Sequence, residues 1–225
     1  MMLQHTNGLH DCRSYRLGVA EYGEVLCLQN RLAQARLREE IADTLLLLQH
    51  PPVITMGKSG KAANVLAPEV IKWKNIKLIA TDRGGDVTYH GPGQLVVYPI
   101  LNLQSHALGI AGYVWNLEEV MIRVLARFGI LGKRVEKLRG VWVGEEKIAS
   151  LGVHLSNSIS KHGLALNVNN DLAPFGLINP CGTGRSMTSL AKILGRTQNM
   201  DNVESLTLQA FAEVFGFSIR EEPRK

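Results

Sequence analysis

The chain has 225 residues, 45% of them hydrophobic and 20% charged, a composition that excludes wholesale disorder and suffices for one substantial core. Its net charge is +5, which suits a nucleic acid, an acidic membrane surface or an acidic protein partner, and equally an ordinary solvated surface. Three cysteines, Cys12, Cys27 and Cys181, form no CxxC pair and leave one over in any disulfide scheme, so a reduced, cytoplasmic compartment is expected.

The N-terminus carries no charged n-region or apolar h-region, so no secretory signal is expected there. Apolar residues at Tyr22, Val25, Leu26, Leu32 and Leu37 predict a helix across about Tyr15 to Glu40, with Cys27 as a structural thiol inside it. Cys12 lies near an end expected to fray and receives no role. Thr44 to Gln49 and Val53 to Met56 read as two short strands around His50-Pro51-Pro52, because two prolines block a helix. The longest apolar runs, such as Leu45 to Leu48, are far too short to span a bilayer. Ile76 to Ala80 and Gln94 to Leu101 are β-like, and a glycine-dense stretch separates them.

Val114, Leu117, Met121, Val124, Leu125 and Phe128 form one stripe of a helix over Ala111 to Phe128. Gly140 to Val143 and Lys147 to Ser156 read as a hairpin, followed by a strand over Gly163 to Val168. Asp201 and Glu204 stand in capping-box spacing before a last helix carrying Val203, Leu206, Ala210 and Val214. Without repeats or linkers, these elements predict one domain over residues 1–225, with its core at about 15–215. The class is α+β, a mixed and mainly antiparallel sheet flanked by helices.

Three segments could carry chemistry. Arg83 to Gln94 holds four glycines, which let a ligand approach backbone N–H groups, beside Arg83, Thr88, Tyr89 and His90. A plain glycine-rich turn reads equally well, and neither a GxxxxGK[ST] nor a GxGxxG pattern is present. Cys181 sits between Pro180 and Gly182 in a loop, and its position leaves both nucleophile and inert thiol open. Lys147 begins a strand in which Ala149, Leu151, Val153 and Leu155 share its face, while Ser150, Gly152 and His154 take the other. Such a lysine either snorkels to solvent or is held in a drier pocket, where its pKa falls. The seven histidines show no HExxH or paired Cys/His spacing for a metal, and no GxSxG elbow supports a serine triad. Basic clusters interleaved with aromatics, the mark of nucleic-acid binding, are also missing from the sequence.

Together these segments resemble the lipoyl(octanoyl) transferase family. The matching features are His50-Pro51-Pro52 with Thr55 and Gly57, Arg83 to Gln94, Lys147 to Gly152, His162 to Asn167, and Pro180-Cys181-Gly182 followed by Thr188-Ser189-Leu190. Their order and intervals agree over about residues 15 to 215. The resemblance implies the catalytic-domain fold shared with lipoate and biotin protein ligases. It also implies transfer of an octanoyl group from octanoyl-acyl carrier protein to a lysine of apo lipoyl domains, the first step of protein lipoylation. The implied acceptors include glycine cleavage H protein and 2-oxoacid dehydrogenase E2 subunits; no nucleic acid, membrane, metal or cofactor is implied, and no ATP.

By the same resemblance Cys181 is the nucleophile and Lys147 its partner. Substrate binding falls to Arg83, Gly84, Gly85, Asp86, Val87, Thr88, Tyr89 and His90, to Ser150, Leu151 and Gly152, and to Gly163, Leu164 and Ala165. Two departures stand out: Asp86 where the family commonly has Gln, and Lys58 where it commonly has Arg. Asp86 would add a negative charge beside an apolar pocket and is expected to point outward. The rival readings are an ATP-dependent ligase on the same fold, an amidotransferase moving octanoyl between two carriers, and a non-catalytic carrier-binding module.

Overall fold

A computed structural model describes residues 10–179 and 185–223. In chain order the elements are β1 (His10–Val19), α1 (Tyr22–Leu37), β2 (Asp43–Gln49), β3 (Val53–Met56), α2 (Pro68–Trp73), β4 (Lys77–Ala80), β5 (Val87–His90) and β6 (Gln94–Ile100). They continue as α3 (Ile110–Arg127), β7 (Lys133–Val135), β8 (Leu138–Val143), β9 (Glu146–Ser156), β10 (Ile159–Asn167), α4 (Leu190–Leu194), α5 (Met200–Phe215) and β11 (Phe217–Glu221). The main sheet has the order β11-β1-β2-β6-β10-β9-β8-β7, and β4-β3-β5 form a smaller one. β1 runs parallel to both β2 and β11, whereas the other main-sheet pairs are antiparallel. The sheet is thus mixed and mainly antiparallel with helices on its flanks, as the sequence predicts.

β2 explains the unbroken Leu45–Leu48 run. Leu45 and Leu47 join the core under α3 and α5, while Leu46 and Leu48 join Val25 of α1 on the other face. A strand covered on both sides has no solvent face to mark with polar residues. On α3 the expected stripe is buried against the sheet, with Leu117, Met121, Val124 and Leu125 fully enclosed. Each such side chain contributes about 1.5–3 kcal/mol relative to exposure.

Several local expectations fail where tertiary pairing overrides local pattern. The first predicted helix covers two elements: Tyr15 and Arg16 belong to β1, which is hydrogen-bonded on both edges, and the helix starts only at Tyr22. Cys12 is therefore buried in a strand, not frayed, and Cys27 lies on the exposed face of α1, not inside the core. β2 and β3 do not pair with each other; His50-Pro51-Pro52 carries the chain from the large sheet to the small one. The last helix is capped by Asn199, whose side chain accepts from the Asn202 N–H at 3.0 Å, so Asp201 is not the cap. Glu204 pairs with Arg16 at 3.3 Å.

Candidate functional site

The glycine-rich stretch is a folded platform. β5 pairs with β3 in antiparallel register, Thr88 opposite Thr55, and the residues before it bend over the next turn of β3. Gly57, Lys58 and Ser59 donate their N–H groups to the carbonyls of Asp86, Arg83 and Gly85 at 2.9–3.1 Å. A side chain at Gly57 would overlap the Gly85 carbonyl, so that close approach needs glycine. Arg83 is buried, and its guanidinium donates to Thr55 Oγ1 and the Thr55 carbonyl, the latter at 2.7 Å, and to the Gly84 carbonyl. The Gly84 N–H donates to the Val153 carbonyl at 2.8 Å, tying the platform to β9.

The Asp86 carboxylate is fixed by hydrogen bonds. It accepts from the Asn64 side chain, from the Lys61 N–H at 3.3 Å and from the Val87 N–H at 2.8 Å. The exposed Lys58 ammonium lies 3.4 Å from His154 Nδ1.

Platform, β9 and β10 enclose a cavity of about 50 Å³. Arg83, Gly85, Asp86, Val87, Thr88 and His90 line one side; Lys147, Ser150, Leu151 and Gly152 come from β9, and Gly163, Leu164 and Ala165 from β10. The structure thus gathers in one wall most of the residues singled out in the sequence. Gly84 faces a neighbouring cavity, and the Tyr89 ring packs edge-on to Phe175 at 5.5 Å in the small-sheet core.

Tyr22, Tyr98 and His162 complete the cavity and were not predicted to line it. Tyr22 and Tyr98 read in sequence only as parts of apolar runs. His162 stands inside a quoted motif, but nothing local announces its inward position at a left-handed φ of 55°.

Buried polar groups form an ordered network behind this wall. His90 donates from Nδ1 to Gln94 Oε1 at 2.7 Å, and Gln94 Nε2 donates to Asn167 Oδ1 at 2.9 Å. Asn167 Nδ2 in turn donates to the Thr188 carbonyl at 3.0 Å. His50 donates from Nδ1 to the Ala20 carbonyl at 2.7 Å, which leaves its Nε2 to accept from Tyr98 Oη at 2.9 Å. Burial, helped by the charge of His50, pushes the His90 pKa down to about 3. Burial pushes His162 down to about 4 against the opposing pull of Asp82, which accepts from its Nε2 at 2.7 Å. Burial also works against the Asp82 carboxylate, yet hydrogen bonds from Lys161 and His162 hold it well below the usual carboxylate range. The wall histidines are neutral at neutral pH, a surface compatible with an apolar ligand.

Lys147 does not lie on the face that strict alternation assigns to it. Val141 pairs with Ala149 but Trp142 pairs with Lys147, so β9 holds one extra residue, Ile148, at a β-bulge. Ile148 and Ala149 both join the core under α3, and the bulge turns Lys147 to the opposite face, beside Trp142 and the cavity. Its Nζ lies 5.6 Å from the centre of the Trp142 ring. Gly140 makes room for it: a Cβ there would lie 2.5 Å from Lys147 Cε. The Lys147 backbone accepts from the Thr188 N–H at 2.9 Å and donates to the Ser186 carbonyl at 3.0 Å. On the other flank of the cysteine loop, the Asn179 N–H donates to the Asn64 carbonyl at 2.8 Å. Cys181 itself, with Pro180, Gly182, Thr183 and Gly184, lies outside the described residues.

Among the described residues no group of three or more His, Cys, Asp or Glu could hold a metal ion, and no helix is long and apolar enough to cross a membrane. Residues 21–212 match the family model of the lipoyl protein ligase A/B catalytic domain. The chain belongs to this family. It is 45% identical over 212 residues to an octanoyltransferase of Solibacter usitatus, covering 94% of this chain and 96% of that one. An octanoyltransferase of Chloroflexus aurantiacus is 47% identical over 211 residues, covering 92% and 95%. In fold the chain is similar to the bi-partite lipoate protein ligase of Thermoplasma acidophilum, with a TM-score of 0.76 at 18% identity, covering 95% and 87%.

Proposed function

We infer that this family member is an octanoyltransferase, an acyltransferase of protein lipoylation whose partners are an acyl carrier protein and lipoyl domains. The observation that carries this reading is its 42–47% identity to octanoyltransferases over nearly the whole of both chains. The convergence of the glycine platform, β9 and β10 around Lys147 supports it. In finer detail, one catalytic domain takes octanoyl from octanoyl-acyl carrier protein onto Cys181 and delivers it to a lysine of H-protein or E2 lipoyl domains.

A free cysteine with a pKa of about 8.5 is only about 3% thiolate at pH 7. The ammonium of Lys147 favours the thiolate by charge, and its buried setting strengthens that effect. The Cys181 sulfur attacks the donor carbonyl, and backbone N–H groups of the glycine-rich loops stabilise the oxyanion. Collapse breaks the donor C–S bond, and the carrier leaves as its thiol with a proton from the Lys147 ammonium, leaving octanoyl-Cys181 beside a neutral lysine. A neutral acceptor amine then attacks, the new C–N bond replaces the Cys181 C–S bond, and Lys147 receives the proton. A thioester becomes an amide, which is downhill, so no ATP enters. Loop anchors at Asn179 and Ser186–Thr188, the latter hydrogen-bonded to Lys147 itself, support the pairing of Cys181 with that lysine. Arg83 to His90, Ser150 to Gly152 and Gly163 to Ala165 form the acyl site in this reading.

Intact-protein mass after mixing with octanoyl-acyl carrier protein, without ATP, tests the relay. One octanoyl increment on wild type, removed by an apo lipoyl domain and missing in Cys181→Ala, is expected. Transfer that appears only with free octanoate and ATP would instead identify an adenylating ligase.

A further inference from the structure

A second cavity, of about 410 Å³, meets the acyl site at Gly85, Lys147, Leu151 and Gly152. It opens where β8 diverges from β9, over the start of α3. Its floor is apolar, with Val114, Leu138, Trp142, Leu151, Val153 and Met187. Its charged lining is entirely cationic: Lys137, Arg139 and Arg185 in addition to Lys147, and no carboxylate among the described lining residues. Arg185 pairs with Glu145 at 3.3 Å, and Lys137 lies 3.8 Å from the exposed Glu136. Arg139 is exposed, and among the described residues it makes no hydrogen bond or ion pair.

A thioester carries two substituents that diverge from one carbonyl. Two cavities diverge from Lys147 in the same way. The smaller has neutral histidines and tyrosines behind it and its one other cation, Arg83, bonded to Thr55 and Gly84. The larger runs along β8 from Trp142, the partner of Lys147 across the sheet, to Lys137 at the β7–β8 turn. Five residues at a strand rise of about 3.3 Å make that path about 16 Å long, the scale of an extended pantetheine arm. Resting on the octanoyltransferase reading, we propose that this second cavity receives the phosphopantetheine arm of the acyl donor, with Lys137 and Arg139 meeting its phosphate. The apolar floor accommodates the arm's methylene and dimethyl carbons, and the cationic mouth selects a donor with a negative far end.

The test compares octanoyl-phosphopantetheine with octanoyl-pantetheine, which lacks the phosphate, as donors in single-turnover acylation read by intact mass. Wild type is expected to react roughly fivefold or more faster with the phosphorylated donor at low salt. The Lys137→Glu/Arg139→Glu variant is expected to lose that preference, while a pre-formed acyl-enzyme of the variant passes octanoyl to a lipoyl domain at the wild-type rate. Lys74→Glu, a charge reversal on the surface at the end of α2, controls for net charge and should keep the preference. Equal rates for the two donors on wild type, or a preference surviving in the double variant, overturns the proposal. A defect confined to the transfer onto the lipoyl domain also overturns it and assigns the cationic mouth to the acceptor. Absence of any acyl-enzyme from either small donor or from octanoyl-acyl carrier protein removes the parent reading as well, a result separate from the others.

Discussion

Gly140 is the residue on which the placement of Lys147 depends most directly. Its φ of 109° is one that side chains rarely adopt, and a Cβ would meet both the Ala149 carbonyl and Lys147 Cε. Gly140→Ala is expected to slow single-turnover acylation by about tenfold or more through a displaced lysine, at a stability cost of about 1–2 kcal/mol from the backbone alone. Stopped-flow acylation and urea denaturation separate the two effects. Asn167 acts at one remove, since its side chain joins Gln94 to the Thr188 carbonyl, and the Thr188 N–H holds the Lys147 carbonyl. Asn167→Ala leaves buried partners unsatisfied and is expected to lower unfolding free energy by about 1–3 kcal/mol in urea titration. Neither dependence can be read from sequence. Gly140 sits in an unremarkable hairpin, and Asn167 ends an apolar strand.

At the scale of elements, β5 and β10 each present a buried neutral histidine to one cavity. His90 and His162 have folded pKa values of about 3 and 4, below the unfolded value of 6.5, so the unfolded chain binds more protons between those limits. Stability therefore rises with pH across that window and falls on acidification, with a slope of up to about 1.4 kcal/mol per pH unit for each histidine. Urea unfolding from pH 7 to pH 4.5 is expected to show this loss, and His90→Gln should flatten it. A pH-independent midpoint over that range would contradict the burial assigned to both rings. β9 shows how an element can be legible and its face not. The sequence predicts a strand over Lys147–Ser156 and the structure has one over Glu146–Ser156, but the bulge at Ile148 arises from pairing with β8, and no period-2 reading of one strand contains it.

Across the whole molecule, the sheet is closed on one edge by the last strand, β11, laid parallel to β1. Phe211 and Phe215 of α5 and Phe217, the first residue of β11, stack in succession, with ring centres 5.5 and 5.3 Å apart. Phe211→Ala is expected to cost about 3–5 kcal/mol, measured by denaturation, because the ring is fully buried and its removal leaves a void in the core. The net charge of +5 sets a second whole-molecule expectation for partners that are acidic. Raising ionic strength should raise the apparent KM for the carrier while leaving kcat nearly unchanged, since salt screens encounter more than chemistry. Salt-independent kinetics would remove charge from the account of partner choice.

Sequence alone determined the α+β class, most of the strands, the α3 stripe and the motifs that place the chain in its family, because periodicity and spacing are local properties. It also marked Gly84 and Gly85 as sites of special backbone, and the approach of Gly84 to β9 and the left-handed φ of 89° at Gly85 account for them. The tertiary structure alone decided which face Lys147 takes, that β2 and β3 part into different sheets, and that Tyr22, Tyr98 and His162 close the cavity. Each of these follows from pairing or packing between segments far apart in the chain. Such contacts leave no periodic trace in either segment, and here they override the local pattern.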